Sequence, residues 1–356
     1  MIKRIYNTDF ASACFFRTTV QPPHKKIMIQ ITEKCNLKCA HCFVDAGKSM
    51  NEMPFESIKN IIIPKLIENQ VTKVTLTGGE PLVHRKIKDI IHSLLEKNIS
   101  GSICTNGVLL NPKFISEFLN FDNIHFNVSL DGFNTKSHGK FRGNISSYTF
   151  NKIIDNICML GNLKLLNGIL VTPNNYASIE EYVELCEFAK RIGSKYVLMN
   201  PLSPFGRGTK TQLLSYTNEK MIELRNRTMP LNSENFEIVY IRFPNTNSLP
   251  LAQCSMGDIP YIFCNGDVAI CPYMVFAAQS ESNDYLPTDF ILGNIFNDIN
   301  ISNAIKNYQG YSKTKFKINR KDCTENCGNG CQAIKISKNL PLYTCDLDLC
   351  PRRKNE

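Results

Sequence analysis

Residues Lys34–Phe43 read KCNLKCAHCF and set Cys35, Cys39 and Cys42 in the order C-x-x-x-C-x-x-C on one short segment. Thiols at this spacing can turn their sulfurs toward a single metal centre. Three ligands leave one coordination position open. A structural zinc site wants a fourth protein ligand, whereas an iron–sulfur cluster whose fourth iron takes a small molecule wants only three. His41 is the available donor for the zinc alternative, but it sits between two of the thiols and points away from their common focus.

Working outward, the segment is preceded by a β-branched run and followed by a helical pattern. This alternation repeats from Lys26 to about Pro201. The strands expected are Ile27 to Ile31, Lys73 to Thr77, Gly101 to Cys104, Ile124 to Ser129, Leu166 to Val171 and Tyr196 to Met199. Between them, Phe55 to Glu68, Ile87 to Lys97 and Ile179 to Arg191 carry apolar residues at helical spacing. Repeated βα units predict a parallel sheet, and six are too few for a closed eight-fold barrel. The fold class expected is therefore α/β: a partial (β/α)6 TIM-like barrel followed by a small cysteine-rich module. The division is 1–25 as an N-terminal extension, 26–230 as the barrel and 231–356 as the module. Ligands gather at strand carboxyl ends in such folds. There lie the three cysteines, then Gly78 to Pro81, then Thr105 to Gly107.

The chain of 356 residues is 43% hydrophobic, enough for a sizeable core. Its net charge of +9 is spread along the sequence rather than gathered in runs, which reads as a solvated surface and not a nucleic-acid stripe. No signal peptide is evident at the start, and no apolar run approaches the roughly 20 residues that span a bilayer. A cytoplasmic location follows as the expectation, where reduced thiols can bind metal. Eight of the fifteen cysteines lie between Cys254 and Cys350, which marks the second module as stapled by metal. Cys14, Cys104, Cys158 and Cys186 sit in strand or helix patterns without partners and read as packing residues.

The cysteine spacing, the strand before it and the motifs after it resemble the radical S-adenosylmethionine (SAM) superfamily over most of the chain. The resemblance implies a [4Fe–4S] cluster on Cys35, Cys39 and Cys42 whose free iron chelates SAM and whose reduction yields a 5′-deoxyadenosyl radical. His41 occupies a position that the family fills with a ring residue. LTGGEP, with Gly78, Gly79 and Glu80, resembles the motif that holds the methionine amino group; by itself it also reads as an ordinary βα turn. Thr105 and Asn106, with Ser129 and Asp131 in NVSLDG, offer polar groups suited to ribose, although caps and turns use the same residues. Arg142 in KFRGN resembles the arginine directed at the SAM carboxylate. Val171 and Asn200 fall where adenine is expected.

CSMGDIPYIFCNGDVAIC, residues 254–271, contains C-x11-G-x4-C, with Asn-Gly-Asp reading as a hairpin turn. KDCTENCGNGC, residues 321–331, follows, and then come Cys345 and Cys350. This resembles the SPASM auxiliary-cluster domain, departing from it where C-x3-C-x3-C replaces the usual C-x2-C-x5-C-x3-C. The resemblance implies two auxiliary [4Fe–4S] clusters: Cys254, Cys264, Cys271 and Cys331 for one, Cys323, Cys327, Cys345 and Cys350 for the other. One cluster with spare thiols, or zinc, is the alternative reading.

SPASM enzymes modify peptides and proteins. Sulfatase maturation is disfavoured, because Pro272 follows Cys271 where those enzymes carry an aspartate. The expectation is a maturase of ribosomally made peptides (a RiPP maturase) that abstracts a side-chain hydrogen and installs a C–C, ether or thioether crosslink, resembling the cyclophane-forming enzymes of the darobactin and xenorceptide type. The chain before Lys26 is short for a leader-binding module, so a separate leader-binding protein is one expected partner, beside the precursor peptide and a flavodoxin or ferredoxin donor. A peptide epimerase and a SPASM-like enzyme acting on tetrapyrroles are the enzymatic alternatives. An iron–sulfur or zinc scaffold is the non-enzymatic one. No catalytic acid or base stands out.

Overall fold

The computed structural model describes residues 11, 20, 23–246, 248–252, 254, 256–279, 283–308, 327–344, 346 and 349–350. All six expected strands form: β1 (Lys25–Thr32), β2 (Val71–Gly78), β3 (Ser100–Thr105), β4 (Ile124–Ser129), β5 (Leu166–Val171) and β6 (Tyr196–Met199). They pair in parallel in chain order, and the run extends to a seventh strand, β7 (Glu237–Tyr240), beyond the boundary expected at residue 230. The alternation of β1 explains its place. Ile27, Ile29 and Ile31 are buried in the main core, while Met28 and Gln30 point to the opposite face.

Helices cover the outer face. The stretch expected as one helix from Phe55 to Glu68 is continuous, but contains a π turn at Ile58–Ile62, closed by the Ile63 N–H donating to the Ile58 carbonyl. Pro64 follows immediately and has no N–H to give, so the regular ladder is interrupted there. The helix Ile87–Leu95 buries Ile87, Ile90, Ile91, Leu94 and Leu95 against the sheet, and Ile179–Arg191 begins with the Ser178 hydroxyl accepting from the Glu181 N–H.

The cysteine-rich segment extends this same sheet. β8 (Tyr261–Ile262) pairs in parallel with β1; β9 (Asp267–Ala269) pairs antiparallel with β8, and β10 (Ile291–Asn294) antiparallel with β9. The complete order is β10-β9-β8-β1-β2-β3-β4-β5-β6-β7, with β1 and β7 unpaired to one another, so the barrel stays open. Strand alternation divides the segment's side chains. Ile262, Cys264 and Val268 join the main core, whereas Tyr261, Ala269 and Cys271 join a second apolar core with Cys254, Met274, Phe290, Cys331 and Ile336. A module expected to rest on metal thus has an apolar core as well.

Candidate active site

Four strand-end segments hold the cysteine loop. At the end of β2, the Gly79 and Glu80 N–H groups donate to the carbonyls of Thr32 and Lys34, both at 2.9 Å. A Cβ on Gly78 would lie 2.3 Å from the Thr32 oxygen, and one on Gly79 2.2 Å from the Lys34 oxygen. The glycines therefore admit the backbone that leads into Cys35, a closer demand than that of a ligand. At the end of β3, Asn106 Nδ2 donates to Asn36 Oδ1 at 2.8 Å. After β4, the Ala40 N–H donates to the Phe141 carbonyl at 2.9 Å, and Gly143 abuts the backbone of Lys38.

After β6 comes a clamp that the sequence reading passed over. The Arg207 N–H donates to the Cys42 carbonyl at 2.9 Å, its Nε to the Cys39 carbonyl at 2.8 Å, and its Nη1 to Asp45 Oδ1 and the Ala46 carbonyl at 2.8 and 2.9 Å. Thr211 Oγ1 donates to the Ala40 carbonyl at 3.1 Å. The legible signal was the Pro- and Gly-containing LSPFGRG at a strand end, where loops of this fold build sites.

Each thiol of the loop receives one donor. The Leu37 N–H points to Cys35 Sγ at 3.4 Å, the Ala46 N–H to Cys42 Sγ at 3.4 Å, and Arg142 Nη1 to Cys39 Sγ at 3.8 Å. Burial raises the Cys35 thiol to about 11, with Cys39, Glu80 and Cys42 adding to the rise; burial raises Cys39 also, against the pull of Arg142. Thiols that disfavour one another's ionisation become thiolates together only against a positive centre, which iron supplies. Among the described residues, no three His, Cys, Asp or Glu side chains close to the spacing of a single bound ion. His41 does not complete a zinc shell: its ring stacks on Phe141 with centroids 4.2 Å apart, and its Nε2 faces Asp131 Oδ2 at 3.6 Å. Burial lowers it to about 4, so it is neutral near pH 7.

The polar residues of the expected cradle prove to be a framework. Glu80 is buried and accepts from the Leu82 N–H at 3.1 Å, Thr105 Oγ1 at 2.7 Å and the Asn106 N–H at 2.7 Å. Burial pushes its carboxyl up, opposed by these bonds. Asp131 is equally enclosed. Its Oδ2 accepts from Arg142 Nε at 2.5 Å and its Oδ1 from the Thr172 N–H at 2.7 Å, while Asn174 Nδ2 and the Tyr182 hydroxyl donate to its carbonyl. Both oxygens accept from the protein, and Asp131 thereby aims Arg142. Burial works against the Asp131 charge, but Arg142, with lesser help from the neighbouring histidines, brings the carboxyl below its ordinary value. Ser129 ends β4 half-buried, and Asn200 Oδ1 is buried without a partner. That orphaned oxygen and the loop thiols fit a bound sulfonium nucleoside. Val171 is buried, its carbonyl accepting from the Asn200 N–H at 2.8 Å.

The structure brings together three of the C-terminal thiols. Cys254, Cys271 and Cys331 act on one another electrostatically within the second core. Cys271 precedes the helix Pro272–Ala277, whose Tyr273 and Met274 N–H groups reach it; Cys331 precedes Gln332–Ser337, and the Gln332 N–H reaches Cys254. Cys264 does not join them. It lies in the turn after β8, packed in the main core by the Ile31 carbonyl, with Glu33 and Glu52 as charged neighbours. Cys327 and Cys350 are half-buried; Cys323 and Cys345, like Cys14, lie outside the described residues. Two aromatic contacts link the two thiol groups: Phe43, next to Cys42, meets Tyr273 edge-on at 4.8 Å and Phe276 edge-on at 5.7 Å, and the Tyr273 hydroxyl accepts from Asn200 Nδ2 at 3.3 Å.

A parallel half-barrel with a three-thiol loop at the carboxyl end of its first strand defines a cluster-binding α/β enzyme. Residues 29–199 match the model of the Radical SAM superfamily, and the chain carries a radical SAM domain. It is an enzyme whose cofactors are SAM and a [4Fe–4S] cluster. Across 329 residues it is 26% identical to mycofactocin maturase MftC of Mycobacterium tuberculosis, covering 88% of this chain and 79% of that protein. It is 27% identical over 184 residues to the antilisterial bacteriocin subtilosin biosynthesis protein AlbA of Bacillus subtilis, covering 50% of this chain and 40% of that one. Its fold matches Streptococcus suis SuiB, solved with SAM (TM-score 0.70, 18% identity, 92% of this chain and 77% of that one) and with the precursor peptide SuiA (TM-score 0.69, 18% identity, 92% and 75%). No helix among the described residues is long and apolar enough to cross a membrane.

Proposed function

We propose that this chain is a peptide maturase that removes a side-chain hydrogen from a ribosomally made precursor and installs a crosslink. The observation that carries the reading is the joining of two thiol groups on one sheet, Cys35, Cys39 and Cys42 on one side of the Phe43–Tyr273 contact and Cys254, Cys271 and Cys331 on the other. Support comes from a maturase relative that aligns over 88% of this chain, and from the shared fold of an enzyme solved with its precursor peptide.

In this reading Cys35, Cys39 and Cys42 hold the SAM-binding cluster. Bound there, cluster and SAM supply a 5′-deoxyadenosyl radical as the hydrogen-abstracting group. Glu80 ties the ends of β2 and β3 together. Arg142, aimed by Asp131, offers charge-assisted donors to a carboxylate. Ser129 and Asn200, at the ends of β4 and β6, meet the nucleoside, Asn200 with its unpaired Oδ1, and Phe43, Phe141 and Tyr273 exclude water. Residues 231–356 serve as an auxiliary-cluster module, with Cys254, Cys271 and Cys331 in one centre and Cys323, Cys327, Cys345 and Cys350 in the other. A flavodoxin or ferredoxin in the cytoplasm supplies electrons, and a separate protein presents the leader.

The test is anaerobic incubation of the reconstituted chain with SAM, a strong reductant and the short peptide encoded beside its gene. A product lighter by hydrogen, formed together with 5′-deoxyadenosine, is expected. Unchanged peptide mass with a D-residue would replace crosslinking by epimerisation, and intact SAM would remove the reading altogether.

A further inference from the structure

We propose that Arg207 is a positioning residue for the first cluster: it sets the conformation of the segment from Cys39 to Ala46 and holds a positive charge against it. The inference rests on the cluster assignment above and adds a residue that neither binds iron nor meets SAM. Four bonds from this residue end within residues 39–46. Nε takes the Cys39 carbonyl, the backbone N–H takes the Cys42 carbonyl, and Nη1 takes Asp45 Oδ1 and the Ala46 carbonyl. Two of those acceptors are carbonyls of thiolate-bearing residues. The third lies on Ala46, whose own N–H donates to Cys42 Sγ at 3.4 Å. Arg207 therefore reaches a cluster sulfur through one intervening residue.

The approach is made possible by Gly206, at φ +60, where a Cβ would stand 2.4 Å from the Phe43 oxygen and 2.5 Å from the Cys42 oxygen. The guanidinium donates from two separate nitrogens in fixed directions, Nε to Cys39 and Nη1 to Asp45 and Ala46, whereas an ammonium offers all its donors from one atom. The clamp also crosses the open side of the barrel. It connects the end of β6, where Asn200 and Tyr273 meet, to the loop after β1, two strands that do not pair. Thr211 repeats the connection at Ala40.

Arg207→Gln and Arg207→Lys in the full chain test this. In the metal-free protein, amide hydrogen exchange over residues 37–46 is expected to speed up at least about ten-fold in Arg207→Gln, with the protection of β2 to β5 unchanged; this readout does not involve the cluster. In the reconstituted protein, the electron paramagnetic resonance change that SAM induces in the wild type is expected to shift or vanish in Arg207→Gln and to be partly restored in Arg207→Lys, and the midpoint potential of that cluster to fall with the lost charge. Asp45→Asn, at a half-buried position, removes one of the four bonds and a negative charge, so exchange over residues 37–46 is expected to rise by less than in Arg207→Gln and the midpoint potential to rise rather than fall. Unchanged exchange over 37–46 in the variants, or an unchanged spectrum and potential, overturns the proposal. A wild type without a SAM-responsive spectrum instead overturns the cluster assignment on which it rests.

Discussion

Arg142 is held by Asp131 through a 2.5 Å bond from Nε to Oδ2, and the same guanidinium reaches Cys39 Sγ at 3.8 Å. The carboxylate thus fixes the direction of a charge that faces the cluster loop, with both partners enclosed in the protein.

Asp131→Asn keeps the shape but leaves the guanidinium without its counter-charge. Breaking a buried pair from one side costs about 3–5 kcal/mol, so a clear drop in thermal midpoint is expected, together with weaker SAM binding in equilibrium dialysis. A variant as stable as the wild type would show that Arg142 is satisfied by other groups.

Glu80→Gln replaces a carboxylate that accepts from three donors by an amide with one accepting oxygen. At least one buried donor, the Asn106 N–H or the Leu82 N–H and Thr105 hydroxyl, loses its partner, which costs about 1–3 kcal/mol. Urea unfolding of the metal-free chain is expected to show this loss, and deoxyadenosine formation to fall as the ends of β2 and β3 loosen.

Cys264→Ser and Cys254→Ser separate the two faces of the hairpin. Cys254 lies with Cys271 and Cys331, whereas Cys264 lies by Ile31. Iron analysis after reconstitution is expected to show a deficit for Cys254→Ser and wild-type iron for Cys264→Ser. Equal deficits would return Cys264 to the auxiliary centre.

Acid stability follows from two buried imidazoles. Burial lowers His41 to about 4 and His138 to about 3, and the His138 Nδ1 accepts from the Asp131 N–H at 3.0 Å. Below the ordinary histidine value the unfolded chain binds protons that the folded chain refuses. Stability therefore falls as pH drops from about 6.5 toward 4, by up to about 1.4 kcal/mol per pH unit for each group. In the metal-free protein, His138→Gln is expected to flatten the pH dependence of urea unfolding over that range; an unaltered slope would mean that the imidazole is protonated when folded.

The strands were legible because alternation and β-branching are local: β4, β5 and β6 fall at the expected residues. The three-thiol loop was legible for the same reason, since its ligands share one short segment. By contrast, β7 and the pairing of β8 with β1 depend on short strands whose partners are distant in sequence. The division of labour among Glu80, Asp131 and Arg142 was equally hidden, because a motif names the side chains and only packing decides which atoms are consumed internally.

What the amino-acid order alone determined is the set of βα units and a three-cysteine segment after the first of them, through periodicity and spacing along a continuous stretch. Only the tertiary structure decided that Arg207 grips the cysteine loop and that Cys264 parts from Cys254, Cys271 and Cys331. Hydrogen bonds to backbone carbonyls leave no imprint on the acceptor's residue type, and the face a strand residue occupies is set by the sheet it joins.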